Sequence, residues 1–115
     1  MTYADFMRLV IDAAEFDSLE DYIAEVGGSV PADVHDGATI QLLEDCYTFG
    51  HDRTVACVHK ITGRSRAAFA RDYRLPLRSL ENWEAEGTNA RTAPGYLVDL
   101  IAFAAIGDRA AEMQL

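Results

Sequence analysis

The sequence predicts an all-helical fold. Three observations carry this expectation. Apolar residues recur three and four positions apart through most of the chain. Gly, Pro and capping residues divide it into short segments. No run alternates apolar and polar residues for long enough to make a convincing strand. The chain has 115 residues, half of them hydrophobic and a quarter charged. That length can bury a core without metal or disulfides and fits one domain.

The elements follow in order. A first helix runs from Tyr3 to about Ala14, with Phe6, Met7, Val10, Ile11 and Ala14 at helical spacing. Asp17 or Ser18 caps a second helix, and Ser18-x-x-Asp21 resembles a capping box with Asp in place of Glu. Leu19, Tyr22, Ile23 and Val26 form its apolar face, and Gly27-Gly28 ends it. Gly, Pro and Asp make residues 27–38 a loop. A third helix is expected from Thr39 to Phe49, with Ile40, Leu43, Cys46 and Tyr47 on one side. After Gly50, Asp52 caps a helix from Arg53 to Thr62 that buries Val55, Val58 and Ile61, and Gly63 closes it. Ser65 caps a helix through Tyr73. Arg74-Leu75 turns the chain, and Pro76 suits the first position of a helix to about Ala85. Residues 86–95 read as loop. A last helix extends from Gly95 to about Ile106, followed by a frayed tail.

Charge is distributed unevenly. The net charge is −9, yet residues 1–51 hold Arg8 against eleven acids, a net of −10. Residues 52–92 hold eight basic residues and five acids, a net of +3, and residues 93–115 carry −2. Residues 1–50 are therefore expected to form an acidic helical segment serving packing, dimer or partner contacts. Residues 51–115 carry the functional motif. The loop at 27–38 is short enough that both parts should share one compact domain. No stretch approaches the roughly 18 apolar residues of a membrane span, and the N-terminus lacks the basic region of a signal peptide. With Cys46 and Cys57 in apolar helical contexts, a reduced, cytoplasmic setting is the expectation.

The motif lies between Ser65 and Glu84. Two short helices joined by a tight turn need a small residue where they cross, here Ala70, and an apolar residue before it, Phe69. The turn needs an inward apolar residue, Leu75, and the second helix needs two, Leu80 and Trp83. At 100° per residue, Leu80 and Trp83 face inward. Arg78, Asn82 and Ala85 then point away, with Glu81 on the flank.

This segment resembles the helix-turn-helix of the Cro/cI-like (XRE-type) DNA-binding proteins of bacteria and phages. Ser65, Arg66, Phe69, Ala70, Leu75, Pro76, Leu80, Glu81, Asn82, Trp83 and Glu84 carry the likeness, which spans about residues 53–106. The resemblance implies a lambda-repressor-like helix-turn-helix in the C-terminal half, with extra N-terminal helices. It implies a transcriptional regulator, a repressor or antitoxin-like autoregulator. Such a protein reads double-stranded DNA as a homodimer across half-sites about 34 Å apart. The chain departs from the pattern in three places. Arg66 replaces the usual Gln, Arg74 replaces the Gly of the turn, and one extra residue precedes Gly87.

Residue chemistry then assigns roles on the helix at 76–85. Arg78 suits guanine, Asn82 adenine, Leu77 a thymine methyl, and Glu81 cytosine or the orientation of Arg78. Phosphate contacts are expected from Ser65 and Arg66 at the start of the first helix, and from Arg64, Arg71, Arg74 and Arg91. The alternative is a protein-interaction module whose acidic half binds a basic partner such as a toxin or a nucleic-acid enzyme. Other signals are weaker. Trp83 fits a core better than a base-stacking platform. His51, Cys57, His59 and Cys46 lack the spacing of a zinc site. No nucleophile–base set or Gly-rich phosphate loop is visible, so neither catalysis nor a cofactor is expected.

Overall fold

A computed structural model of the chain describes residues 1–85 and 92–113. The described residues are all-α: α1 (Tyr3–Ala13), α2 (Leu19–Val26), α3 (Thr39–His51), α4 (Val55–Thr62), α5 (Arg66–Asp72), α6 (Leu77–Glu84) and α7 (Gly95–Glu112). Residues 27–38 contain two 3₁₀ turns, Gly27–Ser29 and Asp36–Ala38. α7 is the central strut and packs on α1, α3 and α4. α1 and α2 lie against α3, whereas α5 and α6 rest on α4 and on each other. One apolar cluster runs through both halves of the chain, from Phe6 and Phe49 to Phe69 and Leu80.

Hydroxyl caps begin four of the helices. Thr2 and Asp5 form a reciprocal capping box on α1, which satisfies two otherwise orphaned amides. That hydrogen bonding to Thr2 holds the Asp5 carboxyl below its ordinary value. Ser18 accepts from the Asp21 amide on α2, and Ser65 accepts from the Ala68 amide on α5. α4 begins two residues later than expected. Thr54, not Asp52, is its cap, accepting from the Cys57 amide at 3.1 Å, while Asp52 accepts from the Thr54 hydroxyl. Pro76 stands one position before α6, as its N-cap.

Two apolar faces differ from the sequence reading. On α1 the buried residues are Phe6, Leu9, Val10 and Ala13, and Ile11 is 55% exposed. On α3 they include Leu42, Leu43, Cys46 and Phe49, and Ile40 is 51% exposed. The contact between these two helices sets the rotation. A Cβ on Gly50 would lie 2.7 Å from the Val10 carbonyl oxygen and 2.8 Å from the Ala13 Cβ. Only glycine allows so close an approach.

α7 also continues past Ile106 to Glu112. Ala110 is buried, and Arg109 pairs with the buried Asp45 at 2.9 Å. These contacts extend the helix through the segment expected to fray. Asp45 accepts further from the Gln41 amide, and Arg53 holds the buried Asp99 through two nitrogens. Buried charges need this pairing. Among the described residues, no buried side-chain polar atom lacks a partner.

Candidate nucleic-acid interface

α5 and α6 form the helix pair anticipated between Ser65 and Glu84. The turn between them closes by a hydrogen bond from the Leu75 amide to the Ala70 carbonyl at 2.8 Å. Arg74 adopts the left-handed conformation there, with φ +54°. This is the Schellman closure, with arginine in the position that usually holds glycine. The departure at Arg74 thus leaves the turn's geometry unchanged and costs roughly 1 kcal/mol of backbone strain.

Beneath the pair, Phe69, Ala70 and Leu80 are buried, and Leu75 and Trp83 pack partly against the core. All five residues assigned to the interior of the motif therefore face it. On the opposite side of α6, Leu77, Arg78, Glu81 and Asn82 are exposed. The four side chains assigned to base edges thus share one open face.

The expected phosphate-binding residues are less uniform. Arg64 is bridged to Asp72 and to Glu112. Asp72, through its hydrogen bond and then its charge, holds the Arg64 guanidinium above its ordinary pKa. Arg66 lies 3.6 Å from Glu84, and the Ser65 hydroxyl is occupied by the Ala68 amide. Arg71 contacts its neighbour Asp72 at 3.3 Å, yet its side chain stays 75% exposed. Arg74 and Arg78 are exposed and make no ion pair among the described residues. Arg91 lies outside the described residues.

One polar centre was not foreseen. His59 on α4 stacks on Phe69, with ring centroids 5.1 Å apart and planes 10° from parallel. Its Nε2 donates to the Arg64 carbonyl at 2.8 Å, and its Nδ1 meets both oxygens of Glu84 at 3.0 Å. Since Glu84 also faces Arg66, a single carboxylate at the end of α6 joins α4, α5 and α6. The Trp83-Glu84 pair in the sequence was the available signal, but it gave no sign of the histidine partner 25 positions away. Nearby, Tyr73 donates to Asp108 on α7 at 2.9 Å. Burial, and then that hydrogen bond, push its hydroxyl up to about 12.

The acidic helices stand apart from this face, because α1 and α2 are carried by α3 while α6 is carried by α4 and α5. Among the described residues no helix is long and apolar enough to cross a membrane, and no group of three or more His, Cys, Asp or Glu side chains could hold a metal ion. Neither a family model, nor a curated protein, nor a solved structure matches the chain.

Proposed function

We propose that this chain is a sequence-specific double-stranded DNA-binding regulator whose α5–α6 pair works as a helix-turn-helix, with α6 entering the major groove. One observation carries the reading. Leu80 is fully buried while Leu77, Arg78, Glu81 and Asn82 stand exposed together on α6. That set offers a guanidinium for guanine, an amide for adenine, a carboxylate for cytosine and an apolar tip for a thymine methyl. Arg71 and Arg74 supply exposed charge for phosphates.

The test is selection of bound duplexes from a random library, followed by titration of the enriched site with wild type and variants. Arg78→Ala should cost roughly 1–3 kcal/mol, about 5- to 150-fold in affinity, and relax preference at one base pair. Arg74→Ala should weaken all duplexes alike and lessen the salt dependence. An unenriched library, or affinity indifferent to salt, overturns the reading.

A second reading is favoured by the internal pairing of Arg64 and Arg66 with Glu112, Asp72 and Glu84. This neutralises part of the cationic side, while Asp17, Glu20, Asp21 and Glu25 remain exposed. The acidic half would then bind a basic protein, and the helix pair would serve as scaffold. It forecasts no duplex affinity and a co-purifying basic partner.

A further inference from the structure

One face of α7 carries Tyr96, Leu100, Ala104, Gly107 and Ala111, bordered by the half-buried Phe103, which packs on Tyr3 and Phe6 of α1. It contains no charged residue, in a protein whose net charge is −9. Tyr96 is 70% exposed and Leu100 46%. Positions 96, 100, 103 and 107 step by four, three and four, the spacing of a helix–helix seam. Tyr3 of α1 extends the patch sideways, meeting Phe103 edge to face at 5.5 Å.

The face is graded in size. Its first half is large and projecting, and its second half is small. Beside the small half lies a cavity of about 280 Å³, whose lining includes Phe103, Ala104, Gly107 and Ala111 of α7 together with the charged Asp33 and Asp108. A Cβ on Gly107 would find nothing within 4 Å. Projection and hollow on one helix face fit each other only when a second copy runs the opposite way. In a single antiparallel register Tyr96 meets Ala111, Leu100 meets Gly107 and Phe103 meets Ala104. Every large side chain is then matched with a small one. Parallel packing would crowd tyrosine on tyrosine and leave a gap over the glycines.

We infer that two copies of this chain associate through α7, antiparallel about a two-fold axis between Phe103 and Ala104, with Tyr96 of each copy seated in the hollow of the other. The arrangement is isologous and closes on itself. The 18 residues of α7 make a face roughly 27 Å long, and α7 with α1 is about two helix diameters wide. That gives on the order of 500 Å² per copy, at the lower edge of specific interfaces. The dimer is therefore expected to dissociate reversibly at concentrations on the order of micromolar. With like net charge on both copies, added salt should tighten it by screening their repulsion.

Sedimentation of the full chain from about 1 to 500 µM tests this in the range expected for a small interface. Wild type should pass from monomer to dimer, and more so in high salt. Leu100→Glu, on an exposed site that should leave the helical circular dichroism unchanged, should remain monomeric throughout. Oxidised cysteine variants test the register independently. Ala104→Cys lies at the axis and should link to its own copy. Gly107→Cys should not link to itself, but should link when mixed with Leu100→Cys. A wild type monomeric at the highest concentration, a dimer unaffected by Leu100→Glu, or equal self-linking at positions 104 and 107 overturns the inference. The dimer does not rest on the DNA reading, and the two fail separately, since salt strengthens the α7 contact and weakens duplex binding.

Discussion

Around α1 and α3 the chain is held by aromatic and aliphatic packing, whereas α5 and α6 are held largely by polar contacts. In the first region Phe6 and Phe49 lie 6.4 Å apart, Phe103 closes on Phe6 at 5.6 Å, and the buried Tyr22 donates to the Leu9 carbonyl at 2.7 Å. In the second region α5 buries only Phe69 and Ala70, and α6 only Leu80. Helices of seven and eight residues do not persist alone in water. Glu84, shared by His59 and Arg66, therefore has to fix an orientation that apolar area does not. The contrast places global stability at one end of the molecule and local adjustability at the other, where the candidate reading helix lies.

Four experiments can break or sharpen that contrast. Phe49→Ala removes a fully buried ring and should cost about 3–5 kcal/mol of unfolding free energy in urea titrations. A loss under about 1 kcal/mol would mean that the aromatic region is not the stabilising one. Glu84→Ala removes the carboxylate that His59 and Arg66 share and should cost roughly 1–3 kcal/mol. Its signature is regional: amide hydrogen exchange should quicken in α5 and α6 and stay unchanged in α1 and α3. Uniform quickening would refute a local latch. Arg74→Gly removes the left-handed strain and should raise stability by about 0.5–1 kcal/mol, the gain being reduced by the extra freedom of the unfolded chain.

The smallest effect is kinetic. Both thiols are buried, and burial pushes the Cys57 thiol up to about 11 and the Cys46 thiol higher still. Near pH 8 both are overwhelmingly protonated and should react slowly with disulfide reagents. The Cys57 rate should climb with pH toward that value as thiolate accumulates. Cys57 on α4 should be labelled before Cys46 on α3, since α4 bounds the less stable region. The reverse order would contradict the assignment of the two regions.

The helix count and most boundaries were legible in the sequence because caps and breakers act locally. Ser18, Ser65 and Gly63 sit at the helix ends assigned to them. Which face turns inward was less legible. α3 carries Ile40, Leu42, Leu43, Cys46, Tyr47 and Phe49 over most of its circumference, so periodicity could not choose among them. The close approach of Gly50 to α1 chose. α7 outran its expected end for a similar reason, since the Asp45–Arg109 pair joins residues 64 positions apart. Within the candidate site, the outward set on α6 followed from the spacing of Leu80 and Trp83. The internal pairing of Arg64 and Arg66 did not, because it depends on where the fold sets the acids at the ends of α5, α6 and α7.

Trp83 is the only tryptophan in the chain. It sits half-buried on α6, beside a hollow of about 290 Å³ bordered by Arg53, Thr54, Val55, Ala93 and Val98. Indole emission from the unlabelled protein is therefore a built-in optical gauge of how α6 is seated. A red shift that precedes the loss of far-ultraviolet ellipticity would time the undocking of that one helix against the collapse of the rest.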